Sequence, residues 1–556
     1  MRNLDNKAEL LMPAGNLQKL KAAILYGADA VYLGTPDMSL RTKSEFSLED
    51  VVEGITFAHD NNKRVYLTLN LFSHNKDIQK LPLYVDTIRQ VKPDGLIVAD
   101  PGVFMFVKER APELELHVST QANVCSWQSV KFWETQGAKL CVLGREVSFA
   151  ELTEIREKCP NIKLEAFVHG AMCMTYSGRC LLSNFMAERG ANQGACANSC
   201  RWKYKIHMRL KDGTLKELKL TSENLELFEF LLEEEVRPGD FMPIEEDQRG
   251  SYILNSKDLC IMPKLDDYLR VGVNSLKVEG RGKSVYYVAM VARAYRMAID
   301  DWYQNPLSWN PKKYMNELLT VPNRGYTYAF HEGRLSNHSH GYESTGTIAS
   351  YEYAAVIIAH EKDAFIVEGK NKLIAGDVLE FISPYSTHPI LLRIYEFVNV
   401  KSGKIVNTIN PGHEPIFKVA LNLFDHENQK ILKQLLPPMS VIRKERILNQ
   451  EQWDRLKLDN ETQFLEMGVG SEKNYMSARN KLRLSVDNRN TKLKSKSPRI
   501  GVDGCCGKGC NGCLIFWNDP SYEKARKILA KKKQGEMLGK YDQKPKAKIK
   551  ETLSLN

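Results

Sequence analysis

The stretch GLIVADPGVFMFVKERAPELELHVSTQANVCSWQSVKFWETQGAKLCVLGREVSFAELTEIREKCPNIKLEAFVHG, residues 95–170, decides the fold. Four short apolar, β-prone runs, GLIVAD (95–100), LHVSTQ (116–121), LCVLGRE (140–146) and LEAFVHG (164–170), alternate in it with helix-length amphipathic segments. Near-continuous hydrophobic strands separated by helices require a parallel sheet covered on its faces, because each helix must bury its apolar stripe there. Outward from this stretch the alternation continues with ELLMPAG (9–15), AVYLG (30–34) and RVYLTLN (64–70), and resumes at SLKVEGR (275–281). Eight such units close an α/β, TIM-like (β/α)8 barrel. Most runs end in polar or glycine residues: Asn70, Asp100, Gln121, Arg145 with Glu146, His169 with Gly170, and Glu279 with Arg281. In a barrel such strand ends line the catalytic mouth.

The seventh and eighth runs lie about a hundred residues apart, far beyond an ordinary connection. A cysteine-bearing insertion, residues 171–274, therefore interrupts a barrel domain of residues 1–335. After the eighth run SVYYVAMVARAYRMAID reads as a helix capped by Ser284, with Val288, Val291, Tyr295 and Ile299 on one face. Residues 336–445 turn β-rich, with AAVIIA, AFIVEG, DVLEFI and LLRIYEFVNV, and predict a small β-barrel domain. Residues 446–498 combine a helical stretch with the polar linker DNRNTKLKSKSP, and residues 499–556 hold a cysteine cluster, a basic helix and a tail.

With 43% hydrophobic and 26% charged residues, the 556-residue chain has the composition of globular domains. No basic, apolar leader opens it and no apolar run approaches membrane-spanning length, so a cytoplasmic protein without a membrane partner is expected. In that reducing compartment the 12 cysteines argue for metal binding or catalysis rather than disulfides, with isolated Cys125, Cys141 and Cys159 read as packed residues. The net charge of +10 is local: residues 491–556 carry 16 Lys and Arg against 6 Asp and Glu, leaving 62 of each sign in residues 1–490. A basic tail recruits a polyanion by counterion release, and nucleic acid is the natural candidate; a merely solubilising tail is the alternative.

Within the insertion, HGAMCMTYSGRCLLSNFMAERGANQGACANSC spaces Cys173, Cys180, Cys196 and Cys200 as C-x6-C-x15-C-x3-C, and Cys260 follows in NSKDLC. Thiolates are soft ligands suited to zinc or iron-sulfur, and Gly170, Gly178 and Gly194 let backbone N–H groups approach sulfur. Structural zinc favours paired CxxC knuckles, which are missing here, so the spacing tilts toward iron-sulfur. A second cluster, GCCGKGCNGC, holds Cys505, Cys506, Cys510 and Cys513 among four glycines and predicts a second metal site of open type.

HGAMCMTYSGRCLLS and ELLMPAGNLQKLKAAILYGADAVYLG, together with NSKDLC, SLKVEGRGKS and NRGYTYAF, resemble the peptidase U32 family over most of residues 8–440. The resemblance implies a barrel followed by a small β domain, and a 4Fe-4S cluster held by Cys173, Cys180, Cys196 and either Cys260 or Cys200. Its branch with a long insertion and a C-terminal β domain implies oxygen-independent hydroxylation of the wobble uridine of tRNA to 5-hydroxyuridine, linked to prephenate as cosubstrate. Other members imply alternatives: a collagenase-like peptidase, or hydroxylation of ribosomal RNA or a quinone precursor. A noncatalytic RNA-binding accessory factor is a further reading, and the requirement for a partner subunit stays open.

The remaining candidates follow from position. Arg145 and Glu146 end a strand and suit substrate orientation or proton transfer, while Glu279 and Lys277 serve either catalysis or a buried pair with each other. In EGRGKS (279–284), Gly280 and Gly282 free the backbone, and Arg281 and Lys283 offer charge to a phosphate or carboxylate. Lys277 stands where a Walker motif needs glycine. His169, four residues before Cys173, is either a hydrogen-bond donor beside the cluster or a structural strand-end residue. Asn70 and Gln121 are candidate base-edge hydrogen-bonders. Neither HExxH nor GxSxG occurs, which ranks proteolysis below hydroxylation.

Overall fold

The computed structural model describes residues 7–34, 46–70, 73–173, 175–177, 179, 256–333, 347, 349–386, 388–422 and 424–446, with the backbone of five strands between residues 207 and 252. The expected linker, second cysteine cluster and basic tail of residues 447–556 lie outside the described residues, as do Cys180, Cys196 and Cys200.

All eight apolar runs are strands: β1 Glu9–Ala14, β2 Ala30–Gly34, β3 Arg64–Leu69, β4 Gly95–Val98, β5 Leu116–Val118, β6 Leu140–Val142, β7 Lys163–Gly170 and β8 Ser275–Val278. Each pairs in parallel with the next, and β8 pairs with both β7 and β1, so the sheet closes. Five of the helices between them begin on side chains that accept the first free backbone N–H groups: Asn16, Ser47, Asp100, Ser126 and Ser148. Ser47 with Asp50 and Ser148 with Glu151 form reciprocal capping boxes. Asp100, read in the sequence as a mouth residue, accepts from the N–H groups of Gly102 and Val103 and is spent on its helix.

The five strands of the insertion, His207–Arg209, Leu215–Glu217, Phe230–Glu233, Phe241–Asp247 and Gly250–Tyr252, pair antiparallel among themselves. The chain then adds Asp258–Cys260 antiparallel to the end of β7, with Leu259 opposite Gly170 and Cys260 opposite His169. The helix Leu265–Val271 ends on Gly272 at φ 83°, a left-handed turn that leads into β8.

Ser284 caps the long helix Val285–Gln304, whose Val288, Val291, Tyr295 and Ile299 are fully buried as the sequence pattern requires. Its burial extends beyond one stripe, because the second unit of structure packs near it. That unit is an eight-stranded antiparallel sheet, from Tyr351–His360 to Val441–Glu445, curled around Phe365, Phe381, Phe397 and Phe417. Tyr26 joins the two cores: its hydroxyl donates to Ile382 O at 2.7 Å and accepts from Val441 N at 3.0 Å, all buried. Beside it, Glu317 lies 3.2 Å from Arg293 and 3.4 Å from Arg443, and Arg443 reaches Glu380 at 2.7 Å. No described helix is long and apolar enough to cross a membrane.

Replacing Tyr26 with Phe strands one N–H and one C=O in this joint. The Tyr26→Phe variant is expected to lose about 2 kcal/mol, read as a lower urea midpoint; an unchanged midpoint would show that the hydroxyl does not hold the cores together.

Candidate active site

The strand ends surround a cavity of about 100 Å³, partly open to solvent, lined by Asn70, Gln121, Arg145, Lys277, Glu279 and Arg281 over the rings of Tyr32 and Phe167. Six strand-end or strand residues marked in the sequence thus meet in one place. Lys277 and Glu279 do not pair with each other. Lys277 Nζ sits 2.7 Å from Glu165 Oε1 and 4.4 Å from the centre of the Tyr32 ring, and both charged side chains are buried. Glu279 instead forms an ion pair with Arg145, whose guanidinium lies 4.1 Å from the centre of the Phe167 ring. Arg281 Nη1 donates to Thr68 Oγ1 at 3.3 Å, while its carbonyl accepts from Lys19 Nζ at 3.3 Å. Lys283 leaves this group and lies 5.3 Å from the centre of the Tyr287 ring, outside the cavity lining.

Three buried polar atoms on the cavity residues have no protein partner: Asn70 Oδ1, Gln121 Oε1 and Arg145 Nε. Asn70 Nδ2 points to Ser119 Oγ at 3.4 Å, which leaves the amide oxygen over. Unpaired buried acceptors cost about 1–3 kcal/mol each, so such atoms mark places where a ligand or water completes the bonding.

His169 is turned away from the cavity. Its ring packs among Tyr287, Tyr295 and Tyr326, with centroids 5.9, 5.7 and 5.3 Å away. Burial pushes its pKa down to about 3, with Lys283 adding to the effect, so it is neutral. Nδ1 has no partner. Cys260, opposite it in register, is also fully buried; its Sγ lies 3.7 Å from Met315 Sδ, and burial pushes the thiol up to about 12.

Beyond β7 the chain turns at Gly170, at φ 123°, where an added Cβ would stand 2.7 Å from Glu279 Cβ. Only glycine takes that turn without strain, and it seats the start of the cysteine loop against a cavity wall. Cys173 follows, exposed, with its thiol 3.3 Å from Thr175 Oγ1. Glu146 Oε1 then accepts from Ser177 N at 2.7 Å and Ser177 Oγ at 3.1 Å. Asn123 Nδ2 donates to Ser177 O at 2.8 Å, and Asn123 Oδ1 accepts from Arg179 Nε at 2.6 Å. Glu146 is therefore a brace for the segment between Cys173 and Cys180. Asn123, its companion, carried no sequence signal beyond being a lone asparagine after a strand. Among the described residues no three His, Cys, Asp or Glu side chains gather as a metal site. The two described cluster candidates, Cys173 and Cys260, both adjoin the end of β7. Of the other cysteines, Cys141 and Cys159 are buried and Cys125 is half-buried.

A family model described as Peptidase family U32 matches residues 15–341. Among curated relatives, the tRNA hydroxylation protein P of Escherichia coli is 39% identical over 400 residues, 68% of this chain and 86% of the relative. The 23S rRNA 5-hydroxycytidine C2501 synthase of Escherichia coli is 31% identical over 53% of this chain and 40% of its own length. A collagenase of Porphyromonas gingivalis is 29% identical over 62% of this chain and 78% of its own length.

Removing the brace has a local readout. In Glu146→Ala, hydrogen exchange at the Ser177 amide is expected to accelerate about 10- to 100-fold, the loss of one hydrogen bond to a charged acceptor; unchanged exchange there would mean that Glu146 does not hold the loop.

Proposed function

We propose that this chain, which belongs to peptidase family U32, hydroxylates the wobble uridine of tRNA to 5-hydroxyuridine without molecular oxygen. The observation that carries this reading is the extent of the likeness. At 39% identity the tRNA hydroxylation protein is matched along 86% of its length, whereas the rRNA synthase is matched along 40% of its own. A polar cavity at the strand ends, beside a cysteine loop, suits a reaction that needs both a shaped base site and a redox group.

The donor chemistry fits an iron-sulfur cluster. Cys173 is an exposed thiol at the head of the loop, and Cys260 sits on the strand paired to the same end of β7. Cys173, Cys180 and Cys196 would hold the cluster, with Cys260 or Cys200 as the fourth ligand. When bound, the cluster supplies the electron-transfer chemistry that side chains lack. Prephenate is the proposed cosubstrate, and the Cys505, Cys506, Cys510 and Cys513 segment is proposed to bind a second metal. Protein residues do the positioning: Gly170 and Glu146 set the loop, while Arg145 and Glu279 fix the wall that faces it.

Proteolysis is the weaker reading. A Cys-His nucleophile needs hydrogen-bond contact between the two side chains. Here the described thiol of Cys173 meets Thr175, and His169 is sealed among three tyrosines.

Mass spectrometry of tRNA nucleosides from a deletion strain is expected to show loss of 5-hydroxyuridine and its derivatives, restored by the gene. Unchanged levels would exclude this activity, and loss of a hydroxylated ribosomal nucleoside instead would favour the rRNA alternative. Truncation after Pro498 removes 13 Lys and Arg. It is expected to weaken tRNA binding most at low salt and to flatten the salt dependence by roughly one slope unit per lost phosphate contact. An identical slope would leave the tail without a recruiting role.

A further inference from the structure

We infer that Tyr176, on the cysteine loop, is a stacking platform for one unpaired base of the RNA, standing at the rim of the barrel mouth and outside its cavity. The inference rests on the tRNA hydroxylation reading and adds a residue that grips the RNA beside the nucleotide being modified.

Tyr176 is 61% exposed, although aromatic rings are among the side chains that gain most from burial. Among the described residues three other aromatic side chains are more than half exposed: Phe132, Tyr385 and Tyr395. Phe132 lies on the helix Trp127–Thr135, and Tyr385 and Tyr395 flank the strand Ile390–Arg393 of the curled sheet. Tyr176 differs from them in standing at the barrel's strand ends.

The ring meets solvent, but the backbone that carries it is held. Tyr176 O accepts from Arg179 N at 2.9 Å. The next residue, Ser177, is bonded through N and Oγ to Glu146 and through its carbonyl to Asn123, which also accepts from Arg179 Nε. Glu146 adjoins Arg145, and Asn123 stands two residues after Gln121; both neighbours line the cavity. The turn at residues 175–177 and 179 is therefore pinned to two adjacent walls of the mouth, those that follow β5 and β6. No bond of this brace uses the Tyr176 side chain. A ring on a fixed backbone has only two torsions left to order, so it contacts a partner at low entropic cost.

A nucleobase is the partner whose shape fits. When an enzyme works on one nucleotide of a single-stranded loop, the stack of bases opens, and an aromatic side chain replaces the lost neighbour. Every base has a π-face, so this contact grips the loop without reading its sequence. A protein partner fits less well, because interfaces bury their aromatic anchors in apolar cores. The described neighbours of Tyr176 in the turn, Thr175, Ser177 and Arg179, are polar.

The test uses the anaerobically purified full chain and tRNA anticodon stem-loops in which each loop base in turn is replaced by an abasic ribose. Wild type is expected to lose about 5- to 100-fold in affinity at one position beside the target, the worth of one stacked base. Tyr176→Ala is expected to bind the intact loop more weakly by the same factor and to lose nothing further when that base is removed. Tyr176→Phe, which keeps the ring face, is expected to bind like wild type. Hydrogen exchange at the Ser177 amide is expected to be unchanged in both variants, because the brace does not use the ring. Equal binding by wild type and Tyr176→Ala, or losses that multiply at every abasic position, would overturn the assignment. So would a Tyr176→Phe variant as weak as Tyr176→Ala, which would assign the contact to the hydroxyl, or a Tyr176→Ala variant that binds RNA normally but sediments as a smaller species, which would make the ring a protein contact. Cellular 5-hydroxyuridine is scored separately: its persistence in the deletion strain defeats the functional reading, whereas its loss there together with any of these contrary binding results defeats the platform alone.

Discussion

The barrel depends on one buried ion pair. Glu165 on β7 and Lys277 on β8 face each other across its interior, 2.7 Å apart and almost without solvent contact. Neither charge is tolerable alone there; removing one partner of such a pair typically costs about 3–5 kcal/mol. Ser275 ties Glu165 to Glu9 on β1, with bonds of 2.8 and 3.1 Å, and Tyr66 on β3 donates to Glu9 at 3.0 Å. Three strands that must meet for the barrel to close are thereby linked through carboxylates inside it. A one-residue slip would carry Lys277 from the interior into the helix layer and away from Glu165, so the pair fixes the β7–β8 register. That register in turn decides what the mouth contains, because Glu279 lies two residues beyond Lys277.

The strands were legible because each is a short apolar run set off by an amphipathic segment, and buried parallel strands leave that trace. The cavity residues Arg145, Lys277, Glu279 and Arg281 were legible for a related reason: a charge at the end of an apolar run has few places to go except the mouth. His169 shows where this reasoning stops. Glu165 faces the interior and Phe167 the cavity, and strict alternation would send His169 the same way. The register between β7 and β8 shifts after Lys277, so alternation fails at the one position where it was needed, and the ring turns to the tyrosines of the long helix. Asp100 failed differently: a carboxylate followed by proline and glycine is also a helix cap, and local hydrogen bonds outcompeted the mouth.

The second core contributes to the site at one remove. The helix Val285–Gln304 carries Tyr287 and Tyr295, which enclose His169, and Tyr295 donates to Val168 O at 2.8 Å on β7. The same helix carries Arg293, which shares Glu317 with Arg443 of the curled sheet. These ionic groups are nearly buried, so they hold only while both cores keep their positions. The curled sheet therefore stiffens the outer wall of β7, the strand from which the cysteine loop departs.

Barrels of one family host different chemistry because the loops after the strands vary while the sheet does not. In this chain the loop after β6 carries two neighbouring charges with separate duties. Arg145 lies on Phe167 and binds Glu279 in the cavity wall, whereas Glu146 holds Ser177 within the cysteine loop. Glu279 closes the circuit, since it also packs against Gly170 where that loop begins. A shift of the cysteine loop cannot leave Glu146 behind without breaking two hydrogen bonds, and Glu146 cannot shift without moving its neighbour Arg145. The cavity and the start of the cysteine loop are thus coupled through a single peptide unit, and it is this short path, rather than the barrel as a whole, that keeps the two in register.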